Sequence, residues 1–369
     1  MTAVRLIADD LTGALDAAIS FVAPGQHIPV YWHRPPAGAA PASLALDSGT
    51  READGASARR ALTGLVRDLP RDRNALFYAK LDSLLRGQAA AEIAGWMEAL
   101  APTRCIIAPA FPHHGRITSG GIQHLCRDGA RHPVGADLTA GLAAEGHAVR
   151  LCRPGDPVPD GISLWDAETD ADLAAIAAAA RTCPGTTLWC GSGGLAVALA
   201  GVSGRAEVAP AQLPRPLLGL FGTDHSVTRT QLSACGDAVL ALTDGGPASA
   251  RTLADHMTAR GVVLATLSLP DGTPRETAAA RIAEEFARVL EQMTPPATLV
   301  VSGGETLRGL CLALGAERLD LYGQIEAGVP CSILRGGRFD GVHVVSKSGA
   351  FGAPSLLRRL ISTCEGEEA

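Results

Sequence analysis

Short apolar runs of strand character recur along the whole chain, and each leaves through a Gly- or Asp-bearing turn into an Ala/Leu-rich stretch of helical period. That alternation constrains the fold more than any other feature. A strand that is followed by a helix starts its next strand from the same end of the sheet, so the strands run parallel and helices cover both faces. Strands are expected at 4–8, 28–32, 43–46, 76–79, 105–108, 163–165 and 187–189, with helices at 14–21, 53–69, 88–100, 170–181 and 193–200. The pattern lapses over 202–216 (VSGRAEVAPAQLPRP), where prolines and mixed charge replace it, and then restarts. Later strands are expected at 217–221, 238–242, 262–267, 298–301, 331–334 and 342–346. The fold class is therefore α/β: two α/β domains with mainly parallel sheets and a cleft between them. The boundaries are 1–203, a linker at 204–216, and 217–369, in keeping with 369 residues at about 150 per domain.

Composition narrows the partners. A formal charge of −6 and only 4% aromatic residues leave neither a positive field for a phosphate backbone nor base-stacking platforms, so nucleic acid is not expected. Nine cysteines without a CxxC pair read as buried small hydrophobes in a reducing compartment. The opening MTAVRLIADD reaches two carboxylates before an apolar signal core could form, and no run of 18 apolar residues exists. A cytoplasmic protein without a membrane partner is expected.

In parallel sheets ligands bind beyond the carboxyl ends of the strands, so the loops leaving the strands hold the candidates. After the first comes Asp9-Asp10-Leu11-Thr12-Gly13, where adjacent carboxylates repel unless a cation or a substrate hydroxyl compensates; Asp10 also suits a helix cap. Residues 80–87 (KLDSLLRG) gather two cations, a carboxylate and a hydroxyl, fit for a small carboxylated polyol. Arg51 could add a carboxylate clamp. In the loop 109–116 (PAFPHHGR) adjacent histidines point apart and His124 is not at a helical spacing from either, which leaves Arg116 as the functional candidate rather than a metal site.

Glycine clusters follow two further strands. Gly191-Ser192-Gly193-Gly194-Leu195-Ala196 has the form of a dinucleotide fingerprint, but no second strand ending in an acid follows, so close packing of helix on strand accounts for it better. Ser302-Gly303-Gly304-Glu305-Thr306 opens a helix whose free amides could cradle a phosphate. Gly222-Thr223-Asp224-His225 and residues 347–352 (KSGAFG) add polar atoms, and there is no GxxxxGK[ST]. One half offers acid and polyol contacts and the other phosphate contacts, as phosphoryl transfer to a hydroxyl requires.

The series IADDLTGALDAA, KLDSLLRG, PAFPHHGR, GSGGLA, SGGET and KSGAFG resembles, in order and over nearly the whole chain, the four-carbon acid sugar kinases. The resemblance implies an ATP-dependent kinase that phosphorylates a terminal hydroxyl of threonate, erythronate or a 3-oxo-tetronate. It places the sugar acid on the first domain, at Asp9, Asp10, Arg51, Lys80, Leu81, Asp82 and Ser83, beside the Arg116 proposed above. It places the nucleotide on the second, at Gly303, Gly304, Glu305, Thr306 and Gly349, with Thr223 and His225 in the loop that opens that domain. Lys80 and Arg51 are expected to grip the carboxylate, and Asp9 or Asp10 to position or deprotonate the hydroxyl. Mg2+ is expected to bridge phosphoryl oxygens, with no side chain singled out as its ligand. Where the family has G-S-x-S this chain has Gly222-Thr223-Asp224-His225, with Thr228 following in place. The alternative is a catalytically silent sugar-acid-binding protein with a degenerate nucleotide site. A homodimer is left open.

Overall fold

The computed structural model describes residues 2–35, 41–70, 72, 74–201, 213–270 and 272–362. The chain divides into two compact units, 1–24 with 28–205 and 25–27 with 206–369. Most of the expected linker at 204–216, as far as residue 212, lies outside the described residues.

The first unit contains β1 (Val4–Ala8), β2 (Ile28–Tyr31), β3 (Leu44–Asp47), β4 (Leu76–Lys80), β5 (Arg104–Ala108), β6 (Arg116–Ser119), β7 (Ile122–Arg127), β8 (Ala130–Pro133), β9 (Val149–Cys152), β10 (Gly161–Trp165) and β11 (Thr187–Gly191). Eight of these form a wholly parallel sheet in the order β2-β3-β1-β4-β11-β5-β10-β9. Its helices are α1 (Leu11–Ala18), α2 (Gly55–Asp68), α3 (Ala89–Leu100), α4 (Leu138–Ala144), α5 (Asp170–Arg181) and α6 (Gly193–Ala200). Asp10, Asp54 and Asp137 cap α1, α2 and α4, and Thr169 with Asp172 forms a capping box on α5, which satisfies amides that helix starts leave free. Because helices cover both faces, β1, β3 and β5 are buried at every position. Phe77, Leu62, Ile93 and Trp96 belong to one core cluster with Leu44 and Ile107, each such side chain stabilising the fold by roughly 1.5–3 kcal/mol.

The second unit runs β12 (Leu217–Phe221), α7 (Ser226–Ser233), β13 (Val239–Leu242), α8 (Pro247–Arg260), β14 (Val262–Leu267), α9 (Arg275–Glu291), β15 (Thr298–Ser302), α10 (Gly304–Ala313), β16 (Arg318–Gln324), β17 (Pro330–Arg335), β18 (His343–Lys347) and α11 (Leu356–Ser362). The sheet order is β13-β14-β12-β15-β18-β17-β16, parallel as far as β18 and antiparallel beyond it. Its core cluster includes Leu217, Phe221, Val300, Val345 and Leu357.

Five strands, β6, β7, β8, β9 and β16, and helix α4 stand where the hydrophobic pattern marks none. The small antiparallel sheet β6-β7-β8 shows why for three of them: β8 is exposed throughout and β7 buries only the polar Gln123, which leaves little apolar alternation to see. Cysteines are also more varied than expected. Cys105, Cys152, Cys190, Cys311 and Cys331 are buried, whereas Cys126 is exposed on the small sheet and Cys183 and Cys235 are partly exposed. Cys364 lies outside the described residues. Among the described residues no helix is long and apolar enough to cross a membrane.

Candidate active site

In both units the strand order, though not the strand direction, reverses around a central strand, the place where parallel sheets bind ligands. In the first unit the chain goes from β1 outward to β2, returns through β3 and crosses to β4, so β1 stands between β3 and β4. The register sets Ala8 beside Asp47 on one side and beside Lys80 on the other. Asp9 and Asp10 therefore emerge between these two strand ends.

Asp9 is buried and receives Arg51 on both carboxylate oxygens, from Nε and from Nη2 (2.7 Å). Arg51 also reaches Asp10 (3.3 Å) and Asp82 (3.7 Å), so one guanidinium ties three carboxylates together. Asp10 caps α1, accepting from the Gly13 amide (2.7 Å) and the Thr12 hydroxyl (3.0 Å). The capping and functional readings of Asp10 thus coexist. Its side chain keeps 18% exposure against 3% for Asp9, so Asp10 is the carboxylate a ligand can reach.

Burial pushes the Asp9 carboxyl up, against the hydrogen bond and the charge of Arg51. For Arg51 burial alone would lower the value, but the bond to Asp9 and the fields of Asp10 and Asp82 raise it. Asp82 resists burial because Arg86 and Arg51 hold it well below the carboxylate range. Its Oδ1 accepts from Arg86 Nε (3.0 Å) and from the Leu84 amide (3.0 Å), which shapes the loop after β4. Gly87 closes that loop at φ +80°, and a Cβ there would stand 2.9 Å from Asp9 Oδ2.

Lys80 ends β4 rather than opening the loop; it is buried, and its Nζ donates to the Leu81 carbonyl (3.0 Å). The Leu81 side chain is in the core and its amide bonds the Gly191 carbonyl (2.8 Å), so Leu81 anchors the loop. Ser83 is partly exposed, and its carbonyl accepts from Gln123 of β7 (2.8 Å). Arg116 starts β6, donates to the His114 carbonyl (2.6 Å) and has a buried Nε that finds no partner among the described residues. Burial lowers its guanidinium, and Asp82 counters that. Burial and the Arg116 charge hold the His114 imidazole down at about 4.

Two acids in this region are not among the candidates drawn from the sequence. Glu92 of α3 is buried, accepts from the Thr50 hydroxyl and is pushed up to about 7 by burial and the Asp9 charge. Asp16 of α1 is raised by burial, with Lys80 opposing. Their helical spacing offered a clue only for Asp16, which lies among apolar neighbours in the first motif. The glycines after β11 serve packing: a Cβ on Gly191 or Gly194 would meet the carbonyl of Ala108 (2.7 Å) or Ala110 (2.6 Å).

The second unit repeats the reversal, since the chain leaves β12 for β13, returns through β14 and crosses to β15. Phe221 lies beside Ser302, and Ser302 beside Lys347, so three loops leave the sheet side by side. Gly303, at φ +113°, directs the chain into α10, whose first amides belong to Gly304, Glu305 and Thr306. Thr223 Oγ1 accepts the His225 amide (3.3 Å), and His225 Nδ1 in turn accepts from Val227 (3.2 Å) as the cap of α7. The histidine thereby does what a small hydroxyl residue does at a helix start. Gly349 lies against Thr223: a Cβ there would sit 2.4 Å from the Thr223 hydroxyl oxygen. The donor set is backbone amides, hydroxyls and one buried ammonium, Lys347, which suits a phosphate chain.

A family model described as a sugar-binding N-terminal domain matches residues 4–140, and one described as a nucleotide-binding C-terminal domain matches residues 220–357. The chain is 32% identical to the D-threonate kinase of Cupriavidus necator, over 95% of each chain. It is 28% identical to the 3-oxo-tetronate kinase of Pseudomonas fluorescens, over 98% of this chain and 97% of that one. The crystal structure of a Haemophilus influenzae protein shares the fold at a TM-score of 0.70 and 19% identity, over 99% of this chain and 100% of that one. With these matches along nearly its full length, the chain belongs to the four-carbon acid sugar kinase family.

Proposed function

We propose that this protein transfers the γ-phosphoryl group of ATP to a terminal hydroxyl of a four-carbon sugar acid such as threonate, erythronate or a 3-oxo-tetronate. The observation that carries the reading is the presence, in one chain of this family, of a carboxylate cluster beyond the end of β1 and of helix-start amides beyond the end of β15. Kinase activity on four-carbon acids among the curated relatives supports it.

Within the first unit, Asp10, the more exposed of the two adjacent carboxylates, accepts the proton of the attacking hydroxyl. Asp9 holds Arg51, and Arg51 in turn fixes Asp10 and Asp82. Because the Arg51 charge already serves three carboxylates, the substrate carboxylate falls to Lys80 and to Arg116 with its unmet Nε. Asp82 and Ser83 orient hydroxyls. In the second unit the Gly304, Glu305 and Thr306 amides hold phosphate oxygens, and Thr223, His225 and Gly349 shape the wall beside them. Mg2+ would supply charge neutralisation at the phosphoryl oxygens, and the carboxylates these loops offer it are Asp224 and Glu305. The intact cap at His225 speaks against a degenerate nucleotide loop. ATP as donor assigns the reaction to the cytoplasm.

The test is a coupled assay of ADP release over tetronates, 3-oxo-tetronates and branched or longer sugar acids, with Mg2+ present. Acid-dependent ADP release on a four-carbon acid is expected. Binding of such an acid without ADP release under any condition rejects the kinase reading in favour of a silent binder.

A further inference from the structure

Lys347 is 1% exposed at the end of β18, and no carboxylate among the described residues lies within salt-bridge distance of it. Its Nζ donates to Thr228 Oγ1 (2.7 Å) and Ser302 Oγ (3.3 Å), and Thr228 passes the interaction on by donating to the Gly349 carbonyl (2.8 Å). Thr228 is in the first turn of α7, and Ser302 immediately precedes Gly303, the cap of α10. The positive ends of two helix dipoles therefore begin where a buried ammonium is already held. With no carboxylate in salt-bridge range of the ammonium among the described residues, gathering these three positive features costs free energy by repulsion and by desolvation of the ammonium. An ammonium has three protons to donate, and the two hydroxyls take two of them. Burial lowers the Lys347 pKa to about 8, with Glu326 opposing, so the group remains largely charged at neutral pH.

We propose that Lys347 is a positioning residue of the phosphate cradle: it locks the loops after β12, β15 and β18 through Thr228, Ser302 and Gly349, and its charge is balanced only when the phosphates of a nucleotide arrive. The proposal rests on the nucleotide-binding reading of this unit. It assigns to Lys347 the affinity for the phosphate chain and not for the nucleoside.

The test is displacement of a fluorescent ATP analogue from the full chain by inorganic tripolyphosphate and, separately, by adenosine, in wild type, Lys347→Met and Thr228→Val. In Lys347→Met tripolyphosphate affinity is expected to fall by roughly 10- to 100-fold, the worth of charge-assisted hydrogen bonds, while adenosine affinity stays within about twofold. Thr228→Val is expected to show the same selective loss, several-fold smaller, and stands in for the methionine variant should that fail to fold. Equal loss for both competitors, as a purely structural role predicts, overturns the proposal, and so does unchanged tripolyphosphate affinity. A wild-type protein that does not bind the analogue at all overturns the nucleotide reading itself, which sets the two failures apart.

Discussion

The two units share a strand order at their centres, β2-β3-β1-β4 in one and β13-β14-β12-β15 in the other, and each places its candidate residues beyond the same two strand ends. What fills those ends is opposite. The first unit answers with side-chain charge: three carboxylates on one guanidinium, with a fourth acid, Glu92, behind them. The second answers with backbone amides, hydroxyls and a single buried ammonium that no carboxylate among the described residues pairs with, while its two loop carboxylates, Asp224 and Glu305, stand apart from any guanidinium clamp among the described residues. One topology thus supplies a location, and the loop residues alone decide whether it suits polyol hydroxyls or phosphate oxygens.

The sharpest way to break this comparison is to disable chemistry in one unit while leaving the other untouched. Asp10→Asn keeps a side chain able to cap α1 but cannot take up a proton, so folding survives. Turnover is expected to fall by about 10²- to 10⁴-fold, the usual range for general-base removal, with ATP affinity by calorimetry unchanged. Turnover close to wild type would show that Asp10 only positions the hydroxyl.

Next in size is the loss of the clamp. Arg51→Met leaves Asp9 buried without its partner, and breaking a buried pair this way costs about 3–5 kcal/mol. Urea unfolding should show that loss as a lower midpoint. No equivalent substitution exists in the second crevice, where no such ion pair is present among the described residues.

The second crevice is more sensitive to shape. Gly349→Ala drives a methyl to 2.4 Å from Thr223 Oγ1 and 3.1 Å from His225 Cβ. Overpacking of this kind costs about 1–3 kcal/mol, so ATP affinity is expected to fall by about 5- to 150-fold while the Michaelis constant for the sugar acid stays put.

How far these differences were legible in the sequence depends on whether the signal was local. The capping carboxylate Asp10, the KLDS loop and the SGGET helix start sit next to the strands that present them, so periodicity plus residue type pointed to them. Lys347 stood in a quoted motif, yet its significance comes from Thr228 and Ser302, 119 and 45 residues away, and no local pattern encodes that meeting. Arg51 was legible as a clamp but not as one already occupied by three carboxylates. The small sheet had a signal that apolar periodicity does not use: Gly120-Gly121 and Asp128-Gly129 are two-residue turns with positive φ at both positions, the hairpin signature.

The finest effect is expected at Glu92, because glutamine there keeps the volume and the hydrogen bond from Thr50. Burial and the Asp9 charge raise this carboxyl from the ordinary Glu range to about 7 in the folded chain. Between those two values the folded state holds a proton that the unfolded state has released, so its stability declines as pH rises through that window and the loss is complete above it. Glu92→Gln is neutral throughout and escapes the decline. Thermal unfolding of both proteins should therefore give similar midpoints at about pH 5 and a more stable variant at about pH 8. A gap that does not widen with pH would mean that Glu92 titrates normally, and that the Asp9–Arg51 pair exerts no field on the helix behind it.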